Sequence, residues 1–481
     1  MPSISRRRFL EEALLTAAVG AAGVEPLPTA TAGEEKAGRS PNERLSVAVI
    51  GVRNRGQDHA RAFAARSDCE VTCICDADQR IGAALCEKLA GPAHRRPRFV
   101  QDLRKVFDDK SVDVVSIATP NHWHALAAIW AMQAGKDVYV EKPVSHNVVE
   151  GRRMVETARK HGRICQGGTQ YRSVAANRQA AKYVEEGRLG KLRLARTVTY
   201  RLRKSIGPPG QYPVPPGVDY NLWAGPAPMG PVTRKSFHYD WHWFWDYGSG
   251  EIGNNNIHCV DLMRLLTNIS GLGRGVLSYG GRQFHDAGQT ASTQIAIHDY
   301  GELAVVQEVR NLRTPEPRLG ASVLLVGSEG YLAASDTTCT VYDPAGKRVR
   351  KFDERGQDHF ANFIQAVRSR KPQDLNAEIL EGHQSAAMIH VANISYRLGR
   401  PAASAEIVRE LELLRTNENA LETFAAIKEH LAANGVDTAR EPLTLGPWPR
   451  IDAEKEGFLD APAAAAMLAR EYRKPFVLPE A

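Results

Sequence analysis

Two apolar runs, each ending in a polar tip and separated by an apolar helix, constrain the fold of this chain most. Val114, Val115 and Ile117 stop at Thr119-Pro120-Asn121. A helical stretch with Leu126, Ile129 and Met132 runs to Gly135, and Val138-Tyr139-Val140 then leads into Glu141-Lys142-Pro143. This spacing predicts a strand–helix–strand unit. Right-handed crossovers put the ends of such strands on one edge of a parallel sheet, where ligands bind. A lysine held at that edge by a following proline points to chemistry.

The same alternation extends to both sides. Val47-Ala48-Val49-Ile50 reads as a buried strand, 51–56 as a turn and 59–66 as the start of a helix. Residues 71–75 read as a second strand ending in Asp76, with a helix over 79–90 and further strands near 113–118, 138–140 and 163–166. The expected fold class is therefore α/β, a Rossmann-like, doubly wound parallel sheet over 44–168. From Gln170 the texture changes to a helix at 174–186, an alternating strand at 192–203 and a long Pro/Gly-rich passage at 207–231. That passage is too long for a simple connection and is expected to be a functional loop. A helix at 252–266, alternating runs at 292–299, 303–311 and 321–326, and helices at 356–369 and 379–397 follow. They predict an α+β domain over 169–400 with a largely antiparallel open sheet. Residues 401–481 read as an extension that caps or oligomerises the protein. A chain of 481 residues is long enough for two such domains.

The N-terminus reads differently. Ser5-Arg6-Arg7-Arg8-Phe9-Leu10, a mildly apolar run from Ala13 to Val24, and Ala30-Thr31-Ala32 have the order of an export signal, and the S-R-R-x-F-L core looks like a twin-arginine signal. We expect residues 1–43 to be signal and linker and the mature protein to be periplasmic, or otherwise exported already folded. The signal's apolar run is too short for a stable membrane span, and the mature chain is expected to engage no membrane. The formal charge of +7 is spread along the length, which argues against nucleic acid. Seven cysteines, an odd number, show no paired framework.

Gly51, Arg53, Arg55 and Gly56 occupy the strand-to-helix turn where a dinucleotide fingerprint would lie. The first glycine makes the turn, the last lets helix and strand approach, and the helix N-terminus offers amide donors to a pyrophosphate. The middle glycine is replaced by Arg53, which could extend along the cofactor and pair with it. Asp76, at the end of the next strand, is placed to accept ribose hydroxyls; its charge would repel a 2′-phosphate, favouring NAD over NADP. The same carboxylate also suits an N-cap of the following helix.

TPNxxH followed by AGK-x-V-x-x-EKP resembles the Gfo/Idh/MocA family of NAD(P)-dependent dehydrogenases, named for glucose–fructose oxidoreductase and inositol dehydrogenase. The resemblance covers residue 45 to about residue 400. It implies that Lys142 is catalytic and that Thr119, Asn121, His124, Glu141 and Lys142 line the nicotinamide side. The family's second signature, G-G-x-x-x-D-x-G-x-H, corresponds to residues 248–258, where the histidine is His258 but the usual aspartate is Asn254 and the usual glycine Asn256. Asn254 and His258, four apart on a helix, would share a face. A histidine there can take a hydroxyl proton near neutral pH while Lys142 stabilises the developing alkoxide. Gln170 and Arg172 resemble the substrate-facing position. The aromatic run 239–247, with Trp243 and Asp246, suits stacking and bonding of a sugar or polyol.

The resemblance, with the export signal, thus points to an exported dehydrogenase holding NAD tightly and acting on a small sugar or polyol, and we expect a homo-oligomer. The alternatives are an NAD-dependent glycosidase or lyase working by transient oxidation, and a catalytically weak sugar-binding protein. The histidines lack metal-ligand spacing, so no metal is expected.

Overall fold

A computed structural model describes residues 44–92, 95–314, 322–414 and 419–481. The expected signal and linker lie outside the described residues. The first sheet contains β1 (Leu45–Ile50), β2 (Cys69–Cys75), β3 (Arg98–Val100), β4 (Val114–Ile117), β5 (Asp137–Val140) and β6 (Cys165–Gly167). Their order is β3-β2-β1-β4-β5-β6, and every pair is parallel. Helices α1 (Arg55–Ala64), α2 (Gln79–Leu89), α3 (Arg104–Phe107), α4 (Asn121–Gln133) and α5 (Val148–Lys160) connect the strands. Chain order reverses between β1 and β4, so the tips after those strands diverge around a crevice. The sequence reading missed β3, a three-residue edge strand too short to carry a period.

Helix α4 is buried on nearly every side, from Asn121 to Met132. A helix without a polar face needs cover all round. Here the far C-terminus provides it. Phe476 is 1% exposed and meets Trp123 edge-on at 5.4 Å and Trp130 at 6.5 Å. Arg473 bonds the side-chain and main-chain oxygens of Asn221 and the carbonyl of Gly225, and Gln133 donates to the carbonyl of Glu480. The end of the chain is thus a strap over the first domain.

Among the described residues the second sheet has ten strands, including β7 (Leu192–Tyr200), β8 (Val276–Gly281), β9 (Thr293–Tyr300), β10 (Leu303–Arg310) and β11 (Val323–Gly327). It is antiparallel except for the central β7–β10 pair. Two strands from the C-terminal region, β15 (Arg400–Ala402) and β16 (Leu443–Leu445), extend it beyond β8. One face packs on α6 (Ala175–Glu185), α9 (Asn256–Thr267) and α11 (Ile379–Arg397) through Ala180, Val260, Met263 and Met388. The other face, with Tyr279, Ile295 and Val306, is covered by α12 (Ser404–Leu413) and α13 (Ala420–Ala433) through Leu411, Phe424 and Leu431.

The helix expected at 252–266 is broken. α8 (Gly250–Asn254) stops, Asn255 interrupts, and α9 starts afresh at Asn256. The passage at 207–231 and the aromatic run form a satellite core in which Trp223, Phe237, Trp243 and Tyr247 are buried. The Arg234 guanidinium lies 4.5 Å over Trp223 and 4.7 Å over Phe237, a cation–π arrangement that compensates for its removal from water. All seven cysteines are buried and unpaired. No helix among the described residues is long and apolar enough to cross a membrane.

Candidate active site

The tips after β1, β2, β4 and β5 face the α8–α9 break and the satellite loop across a cleft of about 440 Å³. At its floor, Gly51 has φ +80, and a Cβ there would lie 2.6 Å from the amide nitrogen of Thr119. Only glycine lets β1 and β4 end so close together. A Cβ on Gly56 would meet the carbonyl of Gly51 at 1.9 Å, so Gly56 packs α1 under the turn and does not itself reach the cleft. Arg53 is exposed and lines the cleft without closing it.

Asp76 also lines the cleft, where it accepts the amide N–H of Val52 at 2.7 Å and that of Asp78 at 2.9 Å. It therefore braces the glycine turn. Burial raises its carboxyl to about 6 against those two amide bonds. The N-cap of α2 is Asp78, not Asp76.

At the other strand tips, His124 connects the two motifs. Its ring nitrogens lie 2.7 Å from the carbonyl of Pro143 and 2.8 Å from that of Thr119. A neutral imidazole donates to one of these carbonyls at a time, and either bond ties His124 into the cleft wall. Asn121 accepts the Ser249 hydroxyl at 3.3 Å across the domain boundary. Glu141 accepts from Arg55 at 2.8 Å and from His59 at 3.0 Å. Burial alone would raise its carboxyl; the His59 bond and the Arg55 and Lys142 charges outweigh that and hold it well below the usual carboxylate range.

Lys142 donates to the carbonyl of Asn254 at 2.6 Å. Burial pulls its ammonium below the usual lysine value, with Glu141 and Glu251 opposing. His258 lines the same cleft, lies 5.0 Å from the Tyr171 ring, and is pushed down to about 3 by burial and the Lys142 charge. The break at Asn255 puts Asn254 and His258 on different helices. Both residues nonetheless line the cleft, and Asn254 meets Lys142 through its main chain.

Three further sequence candidates are not cleft residues. Arg172 is buried, bonding Asp261 at 2.8 Å and Glu381 at 3.1 Å, so its charge is spent inside the second domain. Trp243 is buried beneath the Arg203 guanidinium, 5.2 Å away. Asp246 is exposed elsewhere, and its carbonyl takes a bond from Arg470. Of the aromatic run, Tyr239, Trp241 and His242 line the cleft, while Trp243, Phe244 and Tyr247 join Trp241 in the satellite core. Gln170 does reach the cleft.

Sequence reasoning missed Gln101, Arg201, Arg203, Trp223 and His238. The two arginines were discoverable, because they continue the alternation of β7 past its last paired residue. Three buried polar atoms on cleft residues have no partner: Thr119 Oγ1, Gln170 Oε1 and His258 Nδ1. With the glycine cradle they fit a dinucleotide, whose pyrophosphate would lie against the 51–56 turn and the start of α1, and whose reactive ring would lie toward Thr119 and Lys142. No group of three His, Cys, Asp or Glu among the described residues is arranged to hold a metal ion.

Comparison with known proteins agrees with this geometry. Residues 45–169 match the family model described as "Oxidoreductase family, NAD-binding Rossmann fold", and 208–420 match "Oxidoreductase family, C-terminal alpha/beta domain". The chain is similar to a levoglucosan dehydrogenase of Pseudarthrobacter phenanthrenivorans, 29% identical over 49% of this chain and 54% of the relative. It is also similar to a D-glucoside 3-dehydrogenase of Escherichia coli, 29% identical over 34% of this chain and 45% of the relative. An alpha-N-acetylgalactosaminidase of Shewanella oneidensis is 32% identical over 34% of this chain and 39% of its own length. The chain thus spans about half the length, or less, of these relatives. The crystal structure of the WlbA dehydrogenase from Bordetella pertussis with NADH and UDP-GlcNAcA superposes with a TM-score of 0.55 at 20% identity, covering 74% of this chain and 97% of that one.

Proposed function

The chain belongs to the Gfo/Idh/MocA oxidoreductase family, and from that premise we propose that it is an exported, NAD-dependent dehydrogenase of a sugar or polyol hydroxyl. One observation carries this reading: Lys142 from the first domain and His258 from the second line the same cleft as the Gly51 turn. The two relatives named as dehydrogenases of levoglucosan and of a glucoside support a carbohydrate substrate. The Asp76 carboxyl beneath the turn supports NAD over NADP, since it would repel a 2′-phosphate. Arg80, the nearby cation, is tied to Asp78 at 3.2 Å. Twin-arginine export rests on the sequence Ser5 to Leu10 alone. A homo-oligomer, if formed, must use surfaces other than the two covered faces of the second sheet.

Bound NAD would accept the hydride leaving the carbinol carbon. The protein's task is to hold the substrate and remove the hydroxyl proton. A histidine whose value is about 3 is a weak base but a ready hydrogen-bond acceptor. In this reading His258 takes the substrate O–H into a hydrogen bond at its unpartnered Nδ1 and so orients the carbon. Lys142 Nζ, with its proton affinity lowered by burial, receives the proton as the carbonyl forms, and the Asn254 carbonyl steadies the resulting ammonium.

The test is a screen of sugars and polyols with purified protein, following net NADH formation. Lys142→Ala should abolish turnover and leave nucleotide binding intact; undiminished turnover would remove Lys142 from the mechanism. In the wild type kcat/KM should rise with pH through the Lys142 ionisation, and the same rise should persist, at lower rate, in His258→Asn. The galactosaminidase relative motivates a second reading, glycoside cleavage by transient oxidation. Aryl-glycoside release without net NADH would favour it, and sugar binding without any turnover would favour a binding protein.

A further inference from the structure

We infer that the substrate end of the cleft is built for a carboxylate-bearing sugar, a uronate or aldonate, with Arg201 as the specificity-determining partner. This rests on the dehydrogenase reading and names its substrate class.

The argument begins with charge. The cleft is lined by five cations, Arg53, Arg55, Lys142, Arg201 and Arg203, and by two acids, Asp76 and Glu141. Several of these are already committed. Arg55 pairs with Glu141 at 2.8 Å. Arg203 grips Glu251, itself fully buried, through two bonds of 2.9 and 3.1 Å. Asp76 is at the glycine turn, and Arg53 stands beside it where a pyrophosphate would lie.

Two basic side chains remain at the opposite end, Lys142 being cationic only while it holds its proton, and both hydrogen-bond neutral oxygens. Lys142 has the Asn254 carbonyl, and among the described residues the Arg201 guanidinium has only the side-chain oxygen of Asn255, at 3.4 Å. That corner is also the break before α9. Asn255 provides no side-chain cap, so the first amides of a twelve-residue helix add positive potential beside the two cations. The unpartnered Nδ1 of His258 and Oε1 of Gln170 belong to the same wall.

With a neutral sugar the Arg201 guanidinium would keep a neutral side-chain oxygen as its hydrogen-bond partner among the described residues. One carboxylate balances Arg201 and matches the planar fork of a guanidinium, while Lys142 stays free for the reacting oxygen. A phosphate, with about two negative charges, would draw Lys142 away from that role. Arg201 is exposed and flanked by Leu202, which is 65% exposed, so its head group has room to reach a ligand at the mouth.

The experiment uses full-length protein loaded with NAD. Trp223 and Trp241 line the cleft and report binding by fluorescence. The ligands are D-glucuronate, D-gluconate, D-glucose, methyl glucoside and glucose 6-phosphate, tested on the wild type, Arg201→Gln and Arg201→Lys. The expected result is that one of the two acids binds at least tenfold tighter than either neutral sugar. Arg201→Gln should lose that preference with unchanged NAD affinity, and Arg201→Lys should recover part of it. Where turnover is measurable, Arg201→Gln should raise KM for the acid and change kcat little. Equal binding of acids and neutral sugars, a glutamine variant that matches the wild type, or preference for the phosphate each overturns the inference. NADH formation from neutral sugars without any acid preference overturns it alone. Arg201-dependent acid binding with no NADH from any sugar supports the anion site and overturns the dehydrogenase reading instead.

Discussion

Replacing Phe476 with alanine tests whether the C-terminal strap holds the cleft in shape. The ring is 1% exposed, wedged against Trp123 and Trp130, with Arg104 and Arg473 over it at 5.5 and 4.9 Å. Burying a phenylalanine removes roughly 200 Å² from water, about 5 kcal/mol at about 25 cal/mol per Å². Buried Phe→Ala changes typically cost about 3–5 kcal/mol. The remaining anchors are the partly buried Leu478 and polar contacts, Arg473 on Asn221, Gln133 on Glu480 and Tyr472 on Glu150. At about 0.5–1.5 kcal/mol each, hydrogen bonds at a wet edge do not replace the ring. The strap should therefore open locally at a cost lowered by about 3 kcal/mol, raising its open population on the order of 100-fold. Limited trypsin digestion reads this directly, because Arg470 and Arg473 are in the strap. Cleavage there should accelerate by about that factor, since it tracks the open population when reclosing is fast. Substrate KM should also rise, because Trp123 and the turn after Asn221 lose their backing and both border the cleft. A variant cut no faster than the wild type would refute the idea that Phe476 anchors the strap.

Two other outcomes follow from the site and its histidines. Gly51→Ala would place a methyl 2.6 Å from the Thr119 amide at φ +80. The left-handed conformation alone costs about 1–2 kcal/mol, so NAD affinity should fall at least tenfold in a protein that still folds; unchanged affinity in a nucleotide titration would contradict the cradle. Acid should destabilise the protein, because burial holds His122, His242, His258, His298 and His390 at about 3. Folded values below the unfolded one mean that stability is complete above the ordinary histidine range and declines as pH falls toward 3. Each site contributes at most about 1.4 kcal/mol per pH unit. Asp76, raised to about 6, and Glu150 and Asp240, also raised by burial, work in the opposite sense but are three groups against five. A Tm that stays flat between pH 7 and 5 would count against these burials.

Much of the first domain was legible because its signals are local. Each strand and helix carries its own period, and a right-handed crossover then sends β1, β4 and β5 to one edge without knowledge of distant residues. Gly51, Thr119, Glu141 and Lys142 could therefore be placed together from their positions at strand tips. The second domain offered less. Arg172 looked like a substrate residue because its ion partners, Asp261 and Glu381, are 89 and 209 positions away. The period of the 252–266 segment ran on through Asn255, yet tertiary packing ended one helix there and began another.

What the amino-acid order settled by itself was the alternation of elements, the glycine turn and the two motifs at the strand ends, since short-range sterics and hydrophobic period decide those. Only the tertiary structure decided which charges are free. Arg203 and Arg172 are paired with acids brought from elsewhere in the chain, whereas among the described residues Lys142 and Arg201 hydrogen-bond neutral oxygens. Ion pairing depends on distance in space, and the chain does not encode that distance in any local window. The same holds for Phe476, whose role exists only because the last residues return to cover a helix that begins 355 positions earlier.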